Sequence, residues 1–371
     1  MIRSPANFIE LPAFDEHSSE KVMLVPLAAA DEYPLWINTT IFLVSGVVVW
    51  IGGTRLTVHV DRISALTGIG QAFAGMFFLG CVTSLPEVAN TVTASSIGNP
   101  ALAVNNLLGS AAINVFLLAI GDAFLHRDAL TSVVAGASTL MMSVLCMLVL
   151  IGVAAAITIG DLPVLGFGAL GAAVTVLSVG SFWLASGYGV RSPWLVKDAQ
   201  TADAENQITA TSEGHSLRQA LSKAAVAGAV IFVAGYALSQ TGDALAEQTG
   251  LGTGMVGFAL IGIATSLPEL STIIQSIRMR RYELAFGQVL GTNFVNLSLI
   301  IVADSVFVGG PVINELGRFE TVSALLGAAM IGIMLVGLLE RRNTTILRMG
   351  YDSLTVIVLF FCGLGLLATI R

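Results

Sequence analysis

Two identical pentapeptides, Thr83-Ser84-Leu85-Pro86-Glu87 and Thr265-Ser266-Leu267-Pro268-Glu269, stand 182 residues apart in a strongly apolar chain. Each puts one carboxyl group and one proline inside an apolar stretch. Ionisable groups at bilayer depth are costly to hold and mark ion or substrate paths. Proline has no amide hydrogen, and its ring clashes with the carbonyl four residues back, here that of Val82 or Ala264. The freed carbonyls, the Thr and Ser hydroxyls and the carboxylate form an all-oxygen cluster within one turn. That set suits hard cations such as Ca2+, Na+ and Mg2+, and not Zn2+ or Cu+. Glu87 and Glu269 together carry two negative charges, enough to neutralise one Ca2+ or to hold several Na+.

The match continues ungapped at the same offset. Gly80 aligns with Gly262, Leu102 with Leu284, Ala103 with Ala285, Leu108 with Leu290 and Gly109 with Gly291. Ser110 aligns with Thr292, Asn114 with Asn296 and Asp122 with Asp304. Chance similarity between apolar helices would not reproduce Pro, Glu, Asn and Asp at one offset, so the chain is an internal duplication. Asn114 and Asn296 each lie 27 residues beyond their Glu, in the small-residue turns GSAAIN and GTNFVN. Small residues allow close helix approach. Ser110 and Thr292 precede the Asn by four residues and so share its helix face.

Purely structural roles compete with ligation at these positions. A proline kink alone is common in membrane helices, and a buried Glu can pair with a base. The segments that carry these Glu and Asn residues contain no interior Lys or Arg, which counts against the ion-pair explanation. Asn114 and Asn296 could bridge helices, as could Asn90, Asn105, Asn106, Gln288 and Asn293. Asp122 and Asp304, about two turns beyond the Asn residues, suggest helix termination or an ion vestibule. Cys81, Cys146 and Cys362 fall in apolar stretches and are expected to be small buried hydrophobes.

The positioning elements follow from hydropathy. The 371 residues are 55% hydrophobic and 11% charged, which excludes an ordinary soluble domain. Apolar runs able to cross a bilayer lie at about 35–53, 68–97, 101–125, 129–157 and 162–187, then at about 219–240, 252–277, 283–309, 319–339 and 350–370. This predicts an all-α integral membrane protein of ten transmembrane helices. Residues 1–34 read as an acidic extramembrane tail, without the pattern of a cleavable signal. Residues 35–188 and 217–371 form two five-helix repeats, and 189–216 a polar linker. Assigning alternate loops to one side gathers thirteen of the seventeen Lys and Arg residues there. The Arg278-Met279-Arg280-Arg281 cluster is one such anchor. That side is expected to be cytoplasmic, with both termini outside and the protein in the cell (plasma or inner) membrane. Five is odd, so the second repeat enters from the opposite side, the inverted-topology plan of secondary transporters, with broken helices at spans 2 and 7.

TSLPE twice, with GSxxxN and GTxxxN behind it, resembles the paired α-repeats of the cation/Ca2+ exchanger superfamily, most of all its sodium/calcium exchanger family. The resemblance implies four cation sites between the broken helices and the facing spans 3 and 8. By position, Glu87 and Glu269 become the central Ca2+ and Na+ ligands. Thr83 and Thr265 then supply central oxygens. Ser84, Ser266, Ser110 and Thr292 line outer Na+ sites, near the Gly80 and Gly262 carbonyls, and Asn114 and Asn296 take the remaining corners. Some relatives carry Asp at one of these Asn positions; with Asn at both, the pocket has two acidic groups, which counts against K+ co-transport. Relatives often read GN before the GS turn, where this chain has Asn105-Asn106 and Gly287-Gln288. Ca2+/proton exchangers usually carry a GNxxE-type motif in place of TSLPE, which favours Na+ as counter-ion.

The resemblance therefore implies an antiporter exchanging Ca2+ for Na+ by alternating access, with Ca2+, Na+ and membrane lipid as its only evident partners. A Ca2+/H+ (or other divalent-cation/H+) antiporter is the alternative, the Glu carboxyls carrying the proton. A cation channel is more remote, because alternating broken helices do not make a continuous pore. No His, Cys or Ser–Lys constellation suggests an enzyme, and no cofactor, nucleic acid or obligate protein partner is expected.

Overall fold

The computed structural model describes residues 30–125, 128–134, 136–164, 166–187, 216–249, 262, 265–346 and 348–370. The tail expected at 1–34, the linker expected at 189–216 and the first half of the expected seventh span lie largely outside them, Ala264 included. The described chain is helical. Helix α1 is Leu35–Thr67, α2 Gln71–Thr83, α3 Leu85–Ser96, α4 Pro100–Asp122, α5 Ala137–Ile159 and α6 Ala169–Ser186. In the second half α7 is Leu217–Thr249, α8 Leu267–Arg278, α9 Tyr282–Val306, α10 Arg318–Glu340 and α11 Tyr351–Ile370. Among the described residues eight helices are individually long and apolar enough to cross a bilayer, and the pair α2 and α3, bent by 43° at Ser84, makes a ninth. The protein is thus an all-helical membrane protein.

The offset of 182 governs these elements from end to end. Helices α1 and α7 are each 33 residues long and begin at Leu35 and Leu217. Helices α4 and α9 begin at Pro100 and Tyr282, and α6 and α11 at Ala169 and Tyr351. Two small antiparallel hairpins obey it as well. Strands β1 (Pro163–Val164) and β2 (Phe167–Gly168) reappear as β3 (Thr345–Ile346) and β4 (Met349–Gly350) in the same register. The first hairpin moves the start of span 5 from the expected 162 to Ala169, whereas span 10, expected from 350, begins at Tyr351; neither hairpin is anticipated by the sequence reading.

Helices α1 and α7 also exceed the expected 35–53 and 219–240. At about 1.5 Å per residue each is roughly 50 Å long, well beyond a hydrocarbon core of about 30 Å. They must tilt or protrude. Hydropathy falls at Thr54 and Arg55, but backbone hydrogen bonding continues to Thr67, where Gly68 (φ 72°) ends the helix in the left-handed conformation. The pair packs along its length, with Ile231 seated on Gly52.

Helix α2 crosses α9 backbone to backbone. A Cβ on Gly80 would lie 2.8 Å from the Thr292 nitrogen and 2.9 Å from the Gly291 carbonyl carbon. Gly75 meets the Leu284 carbonyl, while Gly291 and Gly287 meet the backbones of Met76 and Ala72. In lipid, helices associate through this kind of small-residue contact. The segment Gly75–Gly80 is a π-helical turn, a form that recurs at functional sites. Gly80→Val should therefore separate α2 from α9 and lower the melting temperature of the detergent-purified protein, the overpacking costing about 3 kcal/mol or more. Gly180→Val, at an α6 position open within 4 Å, should change it little.

Asp122 and Asp304 terminate helices and join the repeats. Asp122 Oδ1 accepts from Leu130 N at 2.7 Å and Oδ2 from Gly350 N at 2.7 Å. Asp304 Oδ1 accepts from Val312 N at 2.7 Å and Oδ2 from Gly168 N at 2.6 Å. The partners are themselves counterparts at the offset of 182. Each carboxylate so pins its own next segment and a hairpin of the other repeat. With all four oxygens engaged, helix termination replaces the vestibule as their role. Arg281 likewise ties α8's end to Asp61 on α1 at 2.8 Å. Cys146 is buried and Cys81 half-buried, but Cys362, expected to be buried, is exposed on α11, an apolar helix that a bilayer would surround.

Candidate cation site

Glu87 and Glu269 are the third residues of α3 and α8, each directly after a proline at the second position. Restarting a helix at depth leaves its first amide groups without intrahelical acceptors and places the positive end of a helix dipole there. A carboxylate is favoured at that end. The sequence Ser-x-x-Glu has the form of a capping box, yet neither Ser caps its helix through the side chain. Ser84 Oγ instead donates backwards to the Gly80 carbonyl at 2.8 Å.

Both carboxylates are left largely uncompensated. Glu269 is fully buried and Glu87 8% exposed. Glu87 Oε1 accepts from Ser110 Oγ at 3.4 Å, while Glu87 Oε2 and both oxygens of Glu269 accept no hydrogen bond. The two carboxyls lie within electrostatic reach of each other, and Glu269 also within reach of the Thr83 hydroxyl. No buried Lys or Arg occurs among the described residues to pair with them.

Ser110 is the hub of the surrounding network. Its Oγ accepts from Asn296 Nδ2 at 3.1 Å and from Asn114 Nδ2 at 3.5 Å. Asn114 Nδ2 also donates to Asn293 Oδ1 at 3.3 Å. Asn293 Nδ2 in turn reaches the Ala111 carbonyl at 3.4 Å. Ala111 is the counterpart of Asn293 at the offset of 182, so this bond marks where the repeats meet at equivalent points. Thr83 Oγ1 and Thr292 Oγ1 are 3.3 Å apart, joining α2 to α9. Gln288 Nε2 donates to the Glu269 carbonyl at 3.5 Å.

The structure thus brings Glu87, Ser110, Asn114 and Asn296 into one bonded group centred on Ser110, with Asn293 attached through Asn114. Thr83 and Thr292 bond each other beside Glu269. Ser84 and Ser266 are buried, and their amides donate to the Gly80 and Gly262 carbonyls at 3.2 and 3.1 Å. Thr265 Oγ1 donates to the Gly262 carbonyl at 3.1 Å; the residues around it, 250–261, 263 and 264, lie outside the described set. Sequence left Asn293 and Gln288 between bridging and ligation, because neither has an identical counterpart.

The amides of Asn114 and Asn296 spend their donors on this network, and Oδ1 of each is unpartnered. With the carboxylates, that makes five buried acceptor oxygens from four residues with no protein donor. Each unmet acceptor costs about 1–3 kcal/mol, more when charged. Neutral and anionic oxygens without donors are the complement of a hard cation.

Residues 37–181 and 222–369 match the profile of the family described as sodium/calcium exchanger protein. The chain is 26% identical over 306 residues to the inner membrane protein YrbG of Escherichia coli K12, covering 81% of this chain and 88% of that one. It is 26% identical over 118 residues to the sodium/calcium exchanger MaX1 of Methanosarcina acetivorans, covering 31% and 33% respectively. The fold superposes on the sodium-calcium exchanger NCX_Mj with a TM-score of 0.67 at 15% identity, over 90% of this chain and 99% of that one. At such low identity the superposition establishes likeness of fold.

Proposed function

The chain belongs to the sodium/calcium exchanger family, and from that premise we propose that it is an antiporter exchanging Ca2+ for Na+ across a membrane by alternating access. The observation that carries this reading is the pair of buried carboxylates, one per repeat, within electrostatic reach and with three of four oxygens unpartnered. Two charges neutralise one Ca2+, and the same two cannot at once neutralise a full load of Na+. Mutual exclusion of that kind couples the two fluxes.

In this reading Glu87 and Glu269 bind both ions, aided by Thr83 and Thr265. Ser84, Ser266, Ser110 and Thr292 serve Na+ beside the Gly80 and Gly262 carbonyls, with Asn114 and Asn296 completing the ring. The scaffold is ten spans in two inverted repeats, 35–188 and 217–371, broken at spans 2 and 7 and joined by a cytoplasmic linker at 189–216. The tail 1–34 and both termini face outward, with the protein in the cell or inner membrane. The long pair α1 and α7 slides across the four helices that carry the site, exposing it to each side in turn.

Ca2+ uptake into Na+-loaded proteoliposomes tests the proposal. Uptake should rise with the outward Na+ gradient, vanish when that gradient is collapsed, and ignore an imposed pH gradient. Uptake that follows pH and disregards Na+ would replace this reading with Ca2+/H+ exchange.

A further inference from the structure

The two copies of the broken-helix face differ in both size and polarity. The buried face of α3 consists of Pro86, Glu87, Thr91, Ala94 and Ser95. Thr91 is fully buried and Ser95 2% exposed, and neither hydroxyl oxygen has a hydrogen-bond partner. Buried helical hydroxyls ordinarily bond the carbonyl one turn back. Others in this protein do so: Thr57 to Gly53 at 2.9 Å, Thr241 to Ala237 at 2.7 Å and Ser276 to Thr272 at 2.8 Å. Thr91 and Ser95 do not.

In the second repeat the same positions hold Ile273 and Ile277, 0% and 3% exposed. They close over Gly121, whose Cβ, were there one, would lie 2.9 and 2.8 Å from their methyl carbons. The counterpart of Gly121 is Ala303, fully buried. One repeat therefore seals this interface with branched aliphatic side chains, and the other lines it with unpartnered hydroxyls. Ile273 and Ile277 fit because Gly121 presents no Cβ, whereas Ala303 fills part of the corresponding space in the first repeat.

We propose that Thr91 and Ser95 form a transit subsite for partly dehydrated hard cations, on the path between Glu87 and the membrane face at residues 97–99. Their spacing of four residues sets the hydroxyls along the stripe that begins at Glu87, with steps of about 6 Å. The stripe ends where α3 ends at Ser96, beside Ile97, which is 71% exposed. Neutral oxygens suit transit because they replace part of a hydration shell without holding the ion, and a path must bind weakly enough to release. Behind Glu269 the equivalent positions, Ile273 and Ile277, offer no oxygen, and both faces are equally buried in this conformation.

This inference rests on Glu87 being a cation ligand, which wild-type flux tests separately. The experiment compares the full-length wild type with the double variants Thr91→Ile/Ser95→Ile and Thr91→Ser/Ser95→Thr. Ca2+ and Na+ fluxes are measured in proteoliposomes, and Ca2+ affinity from thermal stabilisation in detergent. The Ile variant should carry both ions at least about tenfold more slowly with affinity within about threefold of wild type, as expected for a blocked path to an intact site. The hydroxyl-preserving variant should stay near wild type. An Ile variant at wild-type rate overturns the subsite, as does equal slowing in both variants or a parallel loss of flux and affinity. A wild type carrying neither ion overturns the function reading as well, whereas wild-type flux with a fully active Ile variant overturns the subsite alone.

Discussion

Glu269→Gln reduces Ca2+ uptake to below about one hundredth of wild type, and Glu87→Gln follows closely; that is the expected result, and electrostatics sets its size. A unit charge about 4 Å from a monovalent ion is worth about 4 kcal/mol at an effective dielectric of 20, and more for a divalent ion. Each 1.4 kcal/mol is about tenfold in binding, so a hundredfold loss is a conservative floor. Gln also presents an NH2 donor where the cation needs an acceptor. The larger loss belongs to Glu269, which is fully buried with neither oxygen hydrogen-bonded, whereas Glu87 leans on Ser110. Both variants should be no less stable than wild type without cation, because an unpaired buried charge has been removed. Ca2+-dependent thermal stabilisation should disappear with the transport. Uptake within threefold of wild type for either variant would rule out that carboxylate as an ion ligand.

Much of the site was legible because duplication is a strict filter. Pro86, Glu87, Ser110 and Asn114 recur at one offset with conservative change at most, and the structure gathers Glu87, Ser110, Asn114 and Asn296 into one network. The same filter left Asn293 between bridging and ligation. Where the repeats meet, one side chain reaches the backbone of its own counterpart, Ala111, so a single residue serves both halves and no identical pair is needed. The filter passed over Thr91 and Ser95, whose counterparts are Ile273 and Ile277. Hydropathy located the spans but not the ends of α1 and α7, since it measures transfer into lipid while helical hydrogen bonding continues through Arg55, Asp61 and Arg62. The hairpin at 163–168 was read as membrane span because Pro163, Val164, Leu165 and Phe167 are apolar. The partners of Asp122 and Asp304, up to 228 residues away, are fixed only by the assembled fold.

Those two aspartates carry the second large effect. Asp122→Ala should lower unfolding stability by about 2–5 kcal/mol, and Asp304→Ala by a similar amount, since each strands two backbone N–H groups at about 1–3 kcal/mol apiece. The donors, on Leu130 and Gly350 in one case and Val312 and Gly168 in the other, belong to buried residues, so water does not readily replace the lost acceptor. Asp→Asn should fall between, as its oxygen keeps one bond while its NH2 faces the other N–H. The two sites share no partner, so their costs should add in a double variant. Ca2+ affinity of the folded single variants should stay near wild type; a selective loss of affinity at undiminished melting temperature would return Asp122 and Asp304 to the ion path. Duplication alone cannot separate the two kinds of acid, because it preserves scaffold and ligand alike. Acceptor occupancy does. Asp122 and Asp304 have all four oxygens filled by backbone donors, and Glu87 and Glu269 have three of four open. Every oxygen of the first pair already has a backbone donor, and the second pair has little but a cation to satisfy it.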